Sequence, residues 1–244
     1  MTPRRVEVLG VPVDMVTMEQ SLEIVDRLIR GDRCELIIAV NPEKVMRAHR
    51  DPEVLAHLRN AGLLIPDGIG VVWAARYLGL GRCERVPGSE LMPAICERAA
   101  ERGYRIFLFG AGPDVNALAK RRLEERYPEI RIVGTENGYV AEAKFPDLVE
   151  RINRSQADIL FVGLGSPRQE RWMERHRSKL RVKVCQGVGG TFDVIAGRTR
   201  RAPQLFLNMH LEWLYRLATQ PTRFGRQIAL AKFVGRVVKQ RLRP

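Results

Sequence analysis

Several polar side chains stand immediately after short apolar runs, where they could act on a bound ligand. Asp67 follows one such run, and its carboxylate could accept a proton from an incoming hydroxyl group. The same carboxylate could instead cap the helix predicted directly after it. Asn41 and Gln169 offer amide groups on two other turns, and Arg85 offers a fixed positive charge. Each of these three side chains could also be a helix cap or a pairing partner.

Glycine-rich turns follow the apolar runs in the segments GAGPD, GLGSPRQE and GVGGTFD. Glycines permit positive φ angles, and free backbone N–H groups at a helix start can bind phosphate. An ordinary strand-to-helix turn needs the same residue types, so each segment alone favours that simpler interpretation. Together at one sheet edge they predict a phosphate-binding surface, with these glycines as candidates: Gly110, Gly112, Gly163 and Gly165.

The sequence lacks the common signatures of metal and cofactor sites. GAGPD has the first two glycines of a dinucleotide-binding fingerprint without the third. There is no P-loop, no H-E-x-x-H, and no D-x-D pair of the kind that holds a divalent cation on a diphosphate. We therefore expect neither a metal ion nor a cofactor, and we expect arginines and helix N-termini to neutralise any diphosphate.

Short apolar runs alternate with amphipathic stretches along the chain. The runs are VEVLG (6–10), LIIAV (36–40), LLIPD (63–67), RIFLFG (105–110), IRIVG (130–134), DILFVG (158–163) and VKVCQGV (182–188). Thr17 with Gln20, and Pro113, are predicted helix starts. The alternation predicts an α/β fold, a Rossmann-like mostly parallel sheet with helices on both faces, over residues 1–195. Ligands of such sheets bind beyond the carboxyl ends of the strands, where the polar turns lie.

The positive charge is concentrated near the C-terminus. The 244 residues carry a net charge of +13, and residues 196–244 contain eleven Lys or Arg against one acidic residue. We predict a basic helical appendage there, whose helix from residue 222 onward has an apolar stripe: Phe224, Ile228, Ala231, Val234, Val238 and Leu242. Such a helix binds anionic membrane surfaces, and packing on the body is the alternative. Arg223 and Arg226, at its start, could fold over the site and bind diphosphate.

Neither a signal peptide nor a transmembrane segment is expected. The N-terminus has no continuous apolar region, and no segment reaches the roughly 18 apolar residues that span a bilayer. The four cysteines are far apart and form no C-x-x-C pair, which is typical of reduced thiols. We expect a cytoplasmic protein that is peripheral on the inner face of the cell membrane.

The following segments, in this order, resemble the WecG/TagA/CpsF family of bacterial glycosyltransferases: NPEKV, LIPDGIGVVWAAR, RVPGSEL, RIFLFGAGP, ADILFVGLGSPRQE, GVGGTFDVIAGRTRRAP and LEWLYRL. The match begins at about Val6 and runs to the C-terminus. The resemblance implies a Rossmann-type enzyme that transfers a sugar, commonly N-acetylmannosamine, from a UDP-sugar to an undecaprenyl-diphosphate-linked amino sugar with inversion. Such enzymes build teichoic acid linkage units, enterobacterial common antigen or exopolysaccharide.

The resemblance also implies roles for individual residues. Asp67 is the general base by this comparison, and three further positions belong to the active site: Asn41, Arg85 and Gln169. Tyr139 and Asp193 lie near the nucleotide. Family members often have a hydroxyl residue two positions before the asparagine, whereas this chain has Ala39.

Two other functions are compatible with parts of the sequence. GAGPD would suit an NAD-dependent oxidoreductase, although the third glycine is absent. The basic C-terminus would suit a nucleic-acid-binding module, although it has few aromatic residues and no recognised signature. We therefore expect no nucleic-acid partner. Apolar helix faces such as HLEWLYRLA could serve a homo-oligomer or pack on the body.

The missing D-x-D pair generates a testable expectation about metal dependence. The initial rate of sugar transfer should stay within about twofold of its normal value in excess EDTA, because cationic groups would neutralise the departing diphosphate. The measurement is the rate with and without chelator. A loss that Mg²⁺ or Mn²⁺ restores would contradict this expectation.

Overall fold

The computed structural model describes residues 3–199 and 224–242. In the second range, side chains are described from residue 229 onward. Eight strands in these ranges form two sheets. Strands β1 (Arg4–Val8) and β2 (Val11–Met15) form an antiparallel hairpin. The other six are β3 (Glu35–Val40), β4 (Leu63–Pro66), β5 (Arg105–Gly110), β6 (Arg131–Glu136), β7 (Ile159–Gly163) and β8 (Val184–Gly187). They form one parallel sheet in the order β4-β3-β8-β7-β5-β6.

The predicted α/β class is confirmed. Six of the seven apolar runs contain the strands of the parallel sheet. The first run, VEVLG, differs, because it lies in the hairpin outside that sheet. Two antiparallel strands can be joined by a two-residue turn, whereas two parallel strands need a long crossover. Residues 9 and 10, both with positive φ angles, form the two-residue turn between β1 and β2.

Ten α-helices are described in these two ranges. They are α1 (Met18–Ile29), α2 (Pro42–Ala48), α3 (Pro52–Arg59), α4 (Ile69–Tyr77), α5 (Gly88–Arg102), α6 (Pro113–Arg126), α7 (Phe145–Arg154), α8 (Arg168–His176), α9 (Thr191–Ile195) and α10 (Phe224–Leu242). A short 3₁₀ turn, Glu142–Lys144, precedes α7. The two predicted starts are confirmed, since Thr17 and Gln20 form a reciprocal capping box on α1 and Pro113 opens α6.

Helices cover both faces of the parallel sheet, as predicted. One apolar layer lies between the sheet and helices α1, α5 and α6. The other contains buried side chains of α2, α3, α4, α7, α8 and α10, together with those of the hairpin. Strands buried on both faces must be apolar at nearly every position, which explains their continuous apolar runs.

An ion pair attaches the hairpin to the edge of the sheet. Asp14 is fully buried, and Arg5 donates two hydrogen bonds to its carboxylate, at 2.8 and 2.9 Å. The backbone N–H of Leu64, on the edge strand β4, donates to the same carboxylate at 2.8 Å. The hairpin therefore satisfies an edge group that would otherwise need water.

Helix α10 packs on α2 and α4 and presents three different faces. At about 100° per residue, the face toward the body contains the buried residues Phe233 and Val237. The predicted apolar stripe is a second sector, and its described members include Val234 and Leu242, which are 38% and 75% exposed. The third sector is cationic and exposed, and it consists of Lys232, Arg236 and Lys239. The sequence pattern thus identified the outward apolar face and missed the one that contacts the body.

Within the described ranges, none of the helices combines the length and the apolar character that crossing a membrane requires.

The carboxyl ends of β5 and β7 approach each other so closely that only glycine fits. Gly110 has φ +130°, and a Cβ atom there would lie 2.5 Å from the backbone carbonyl of Gly163. The N–H of Ala111 donates to that carbonyl at 3.0 Å. Gly165 has φ +75° but no atom within 4 Å of the place a Cβ would take.

These two glycines generate a matched stability prediction. Gly110→Ala should lower the free energy of unfolding by about 3 kcal/mol or more, because it adds both backbone strain and a clash. Gly165→Ala should cost only about 1–2 kcal/mol, the price of a left-handed conformation. Denaturant unfolding measures both, and equal losses would show that the strands separate easily at this point.

Candidate functional site

Most of the predicted site residues lie on turns or helix starts at one edge of the sheet. Because all six strands are parallel, the turns that follow them all lie at the same edge of the sheet. The turn with Asp67 follows β4 at one end of that edge, and the turn with Tyr139 follows β6 at the other. Five strand spacings separate them, or about 24 Å at ~4.8 Å each. A single small group cannot contact both, so a shared substrate must extend along the edge.

The turns that carry Asp67 and Asn41 are direct neighbours. The N–H of Asp67 donates to the carbonyl of Val40 at 2.9 Å, which continues the pairing of β4 with β3. Gly68, with φ +95°, is the N-cap of α4 and has no side chain with which to cap the helix. A Cβ at Gly68 would lie 3.9 Å from the Cβ of Asn41. The prediction that Asp67 is the N-cap is therefore wrong, since the helix begins one residue later.

Asn41 is a helix cap in the structure. Its Oδ1 accepts a hydrogen bond from the backbone N–H of Lys44 at 2.9 Å, and Pro42 occupies the first position of α2. The cap uses only the side-chain oxygen. The Nδ2 group makes no hydrogen bond within the described part of the chain, so it can donate to a ligand while the oxygen holds the helix.

Arg85 is held beside the same end of the sheet. The N–H of its neighbour Val86 donates to the carbonyl of Pro66, the last residue of β4, at 2.9 Å. The guanidinium of Arg85 lies 3.3 Å from a carboxylate oxygen of Glu90, and its side chain is 17% exposed. The backbone of Arg85 therefore lies beside the Asp67 turn, and its positive charge is partly withdrawn from water.

Gln169 joins the middle of the edge to helix α8. It is 6% exposed, and its Oε1 accepts from the N–H of Gly189 at 3.0 Å. Its Nε2 donates to Glu170 Oε1 at 3.3 Å. A Cβ at Gly187 would lie 2.5 Å from Nε2, so the end of β8 must be glycine to accommodate this amide. The amide of Gln169 thus holds the turn after β8, a contact that the sequence did not indicate.

An ion pair that the sequence analysis missed connects the turns after β3 and β7. Lys44 Nζ lies 2.6 Å from Glu170 Oε1, and the two side chains are only 8% and 7% exposed. Burial acts to raise the pKa of Glu170, but the charge and the hydrogen bond of Lys44, together with hydrogen bonds from the Glu170 backbone and from Ser166, outweigh it, and the net pKa is below the ordinary value. Glu170 therefore remains ionised. The only sequence signal was the presence of both residues in the segments NPEK and PRQE.

The far end of the edge combines glycines with an exposed aromatic ring. Gly112 is the N-cap of α6, and a Cβ there would lie 3.8 Å from the ring of Tyr139. Tyr139 is 81% exposed, and its N–H donates to Asn137 Oδ1 at 2.9 Å. A turn held in this way presents a flat apolar ring next to the N-terminus of a helix. Such a pair suits a nucleoside base and its adjoining phosphate.

Asp193 lies in α9, one turn after β8. Its backbone carbonyl accepts from the N–H groups of Arg198 and Thr199, at 2.9 and 3.1 Å. A cavity of about 630 Å³ adjoins this helix, lined by Ser89, Pro93, Arg122, Leu123, Glu125, Arg126, Val194 and Ile195. None of the predicted site residues lines it. Its mixed charges and its position between helices distinguish it from the turns at the sheet edge.

Two predicted residues cannot be located relative to these turns. Arg223 lies outside the described residues. Arg226 belongs to helix α10, but its side chain is also outside the described part. Their predicted contact with diphosphate therefore stays a prediction.

Comparison with known proteins identifies the family of this chain. The sequence profile of the glycosyl transferase WecG/TagA/CpsF family matches residues 6–244. The chain belongs to this family. It is therefore a glycosyltransferase. It is also 36% identical over 203 residues, 83% of this chain and 78% of the relative, to the N-acetylglucosaminyldiphosphoundecaprenol N-acetyl-beta-D-mannosaminyltransferase of Bacillus spizizenii.

The dual position of Asn41 in this glycosyltransferase generates a prediction that separates stability from activity. Asn41→Asp should keep the unfolding temperature, because a carboxylate also caps α2, but turnover should fall at least about tenfold as the amide donor is lost. Asn41→Ala should lose both turnover and about 1 kcal/mol of stability. Thermal unfolding and initial rates measure the two effects. Full turnover in the Asp variant would show that the amide donor is not used.

Proposed function

We propose that this protein transfers N-acetylmannosamine from a UDP-linked donor, with inversion, to an amino sugar linked to undecaprenyl diphosphate. The product would be used in the synthesis of teichoic acid or exopolysaccharide. Two findings support this: the family, and the activity for which the Bacillus spizizenii relative is named. The observation within the chain that carries the proposal is that the Asp67 turn and the Asn41 turn are direct neighbours at the carboxyl edge of the sheet, joined by the hydrogen bond from the Asp67 N–H to Val40.

In the proposed reaction Asp67 is the general base. Its carboxylate takes the proton from the acceptor hydroxyl, and the acceptor oxygen forms a bond to the anomeric carbon from the face opposite the nucleotide. The bond between that carbon and the phosphate oxygen breaks, and UDP leaves with the electron pair. One displacement inverts the anomeric configuration. Asn41 and Arg85, beside Asp67, would orient the acceptor through hydrogen bonds and charge.

The donor would lie along the middle and far end of the edge. The exposed ring of Tyr139 would stack on the uracil, and the turns with Gly110, Gly112, Gly163 and Gly165 would surround the diphosphate with N–H groups. Asp193 would hold a polar group of the nucleotide. The leaving charge would be stabilised by these N–H groups and by Arg223 and Arg226, which requires no metal ion.

A direct assay tests this function. Purified protein should release UDP from UDP-N-acetylmannosamine only when a soluble N-acetylglucosaminyl-diphosphate-lipid analogue is present. A panel of other UDP-sugars and NAD(H) substrates serves as the comparison. Turnover with a different donor alone, or no transfer to any diphosphate-linked acceptor, would overturn the proposal.

Replacement of Asp67 tests the assignment of the base. Asp67→Asn should reduce turnover by about 10²-fold or more and leave UDP affinity nearly unchanged, because the amide keeps the shape but accepts no proton. Asp32→Asn, an exposed carboxylate before β3 at the opposite edge, is the control and should keep normal turnover. Near-normal turnover in Asp67→Asn would refute the assignment.

We also propose that α10 docks the enzyme on the inner face of the cell membrane. One sector of the helix packs on the body through Phe233 and Val237. Arg236 lies near His49, at the C-terminus of α2, and burial together with the charge of Arg236 lowers the pKa of that histidine. The remaining two sectors, apolar and cationic, are exposed apart from the half-buried Val238. The apolar stripe would be buried at the surface of an anionic bilayer, and the cationic side chains would pair with the lipid headgroups. The substrate named for the relative is lipid-linked, so docking would bring the enzyme to it.

Neutralising the cationic sector tests docking without disturbing the fold. The triple change Lys232→Gln, Arg236→Gln and Lys239→Gln should weaken binding to anionic vesicles roughly 100-fold, at about 1 kcal/mol per charge. The same triple change at Arg30, Arg131 and Arg181, exposed at the opposite sheet edge, should have little effect. Vesicle sedimentation measures both. Equal losses would mean that only net charge matters, and no loss would refute docking.

A further inference from the structure

The buried ion pair between Lys44 and Glu170 lies directly behind two turns of the candidate site. Lys44 is on α2, in the turn of helix that Asn41 caps, and Glu170 is on α8, next to Gln169. Their charged atoms are 2.6 Å apart and both side chains are more than nine-tenths buried. No role was assigned to either residue by the sequence.

Stability alone does not explain a charge pair at this position. Two charges that are buried lose hydration free energy, and their mutual attraction offsets that loss only in part. Apolar side chains of similar volume often give a fold that is no less stable. The neighbouring buried residues Val45, Trp172 and Met173 are apolar, so a fully apolar contact between α2 and α8 was available.

The pair belongs to an unbroken series of hydrogen bonds across the edge. Asn41 Oδ1 accepts from Lys44 N–H, Lys44 Nζ donates to Glu170 Oε1, and the same oxygen accepts from Gln169 Nε2. Gln169 Oε1 accepts from the N–H of Gly189. The series therefore runs from the turn after β3 to the turn after β8, and these two strands are neighbours in the sheet.

The carboxylate of Glu170 determines which way the Gln169 amide points. An amide has a donor end and an acceptor end, and a carboxylate can only accept. Nε2 must therefore face Glu170, and Oε1 must face the N–H of Gly189. Gly189 has φ +54° and nothing within 4 Å of a Cβ position, so no side chain packs at this residue. Its N–H donates to Gln169 Oε1, and this bond adds to those that Val188 and Thr191 make in the same turn.

We propose that Lys44 and Glu170 are positioning residues of the transfer reaction. Through Gln169 they fix residues 187–190 relative to Asn41 and Asp67, so that the turn facing the donor diphosphate keeps its distance from the base. This proposal rests on the proposed sugar transfer for its kinetic consequence. Its structural part, the fixing of the Gly189 turn, does not depend on which substrate is used.

The test replaces the pair by apolar side chains of similar length. Lys44→Met combined with Glu170→Met should unfold close to the normal temperature, because no charge is left buried and unpaired, although Gln169 Nε2 loses its acceptor. Its kcat should fall at least about tenfold with KM for the UDP-sugar within about threefold, because small displacements of positioned groups reduce turnover more than binding. Hydrogen exchange at the Gly189 amide should become faster.

A second ion pair, at the other end of α8, is the matched control. Arg177, which ends α8, lies 2.6 Å from Glu35 at the start of β3, and the side chains are 19% and 10% exposed. This pair is at the opposite edge of the sheet. Arg177→Met with Glu35→Met should leave kcat per folded molecule and the exchange of Gly189 unchanged, even if it lowers the unfolding temperature.

The outcomes are distinct. Normal kcat together with normal exchange at Gly189 in the Lys44/Glu170 double variant would overturn the proposal, as would an equal loss of kcat in the control. Faster exchange with normal kcat would overturn the kinetic role. If the unmodified enzyme transfers no sugar, the proposed function fails, and the Gly189 exchange alone then decides whether the pair positions the turn.

Discussion

The parallel alignment of six strands is the constraint on which the rest of this structure depends. It requires a crossover after every strand, so a helix must begin at each carboxyl end, and every such start leaves backbone N–H groups unpaired. All these helix starts and turns meet at one edge. A glycosyltransferase that must hold a diphosphate there can use donors that the fold already supplies. The residues specific to this chemistry, such as Asp67, need only be added to turns that exist for topological reasons.

Two kinds of contact keep the turns at fixed distances from one another. The first is close backbone approach, as at Gly110 and Gly163, where the absence of a Cβ lets β5 hydrogen-bond to the end of β7. The second is polar and buried, as in the series from Asn41 through Lys44, Glu170 and Gln169. The first kind excludes side chains and the second fixes hydrogen-bond direction. Both limit movement in a region where strand pairing has ended and loops would otherwise be loose.

The sequence predicted the elements well because their signals are local. The apolar runs of the parallel strands, the capping box at Thr17 and the proline at the start of α6 each depend on neighbouring residues only. The missed features depend on residues far apart in the chain. Lys44 and Glu170 are separated by 126 positions, and the body-facing sector of α10 is defined by its contacts with α2 and α4. The capping interpretation of Asp67 was wrong by one residue, because Gly68 can adopt the φ of +95° that starts the helix later.

Amide hydrogen exchange in the presence of UDP tests most directly whether the carboxyl edge of the sheet binds the donor. If it does, UDP should slow exchange in residues 110–116, 137–140 and 187–191, which follow β5, β6 and β8. Residues 103–105 and 157–159, at the amino edge, should be unaffected and provide the internal reference. Slowed exchange confined to residues 119–126 and 194–196, around the cavity between α5, α6 and α9, would contradict the account, because the nucleotide would then bind away from the predicted turns.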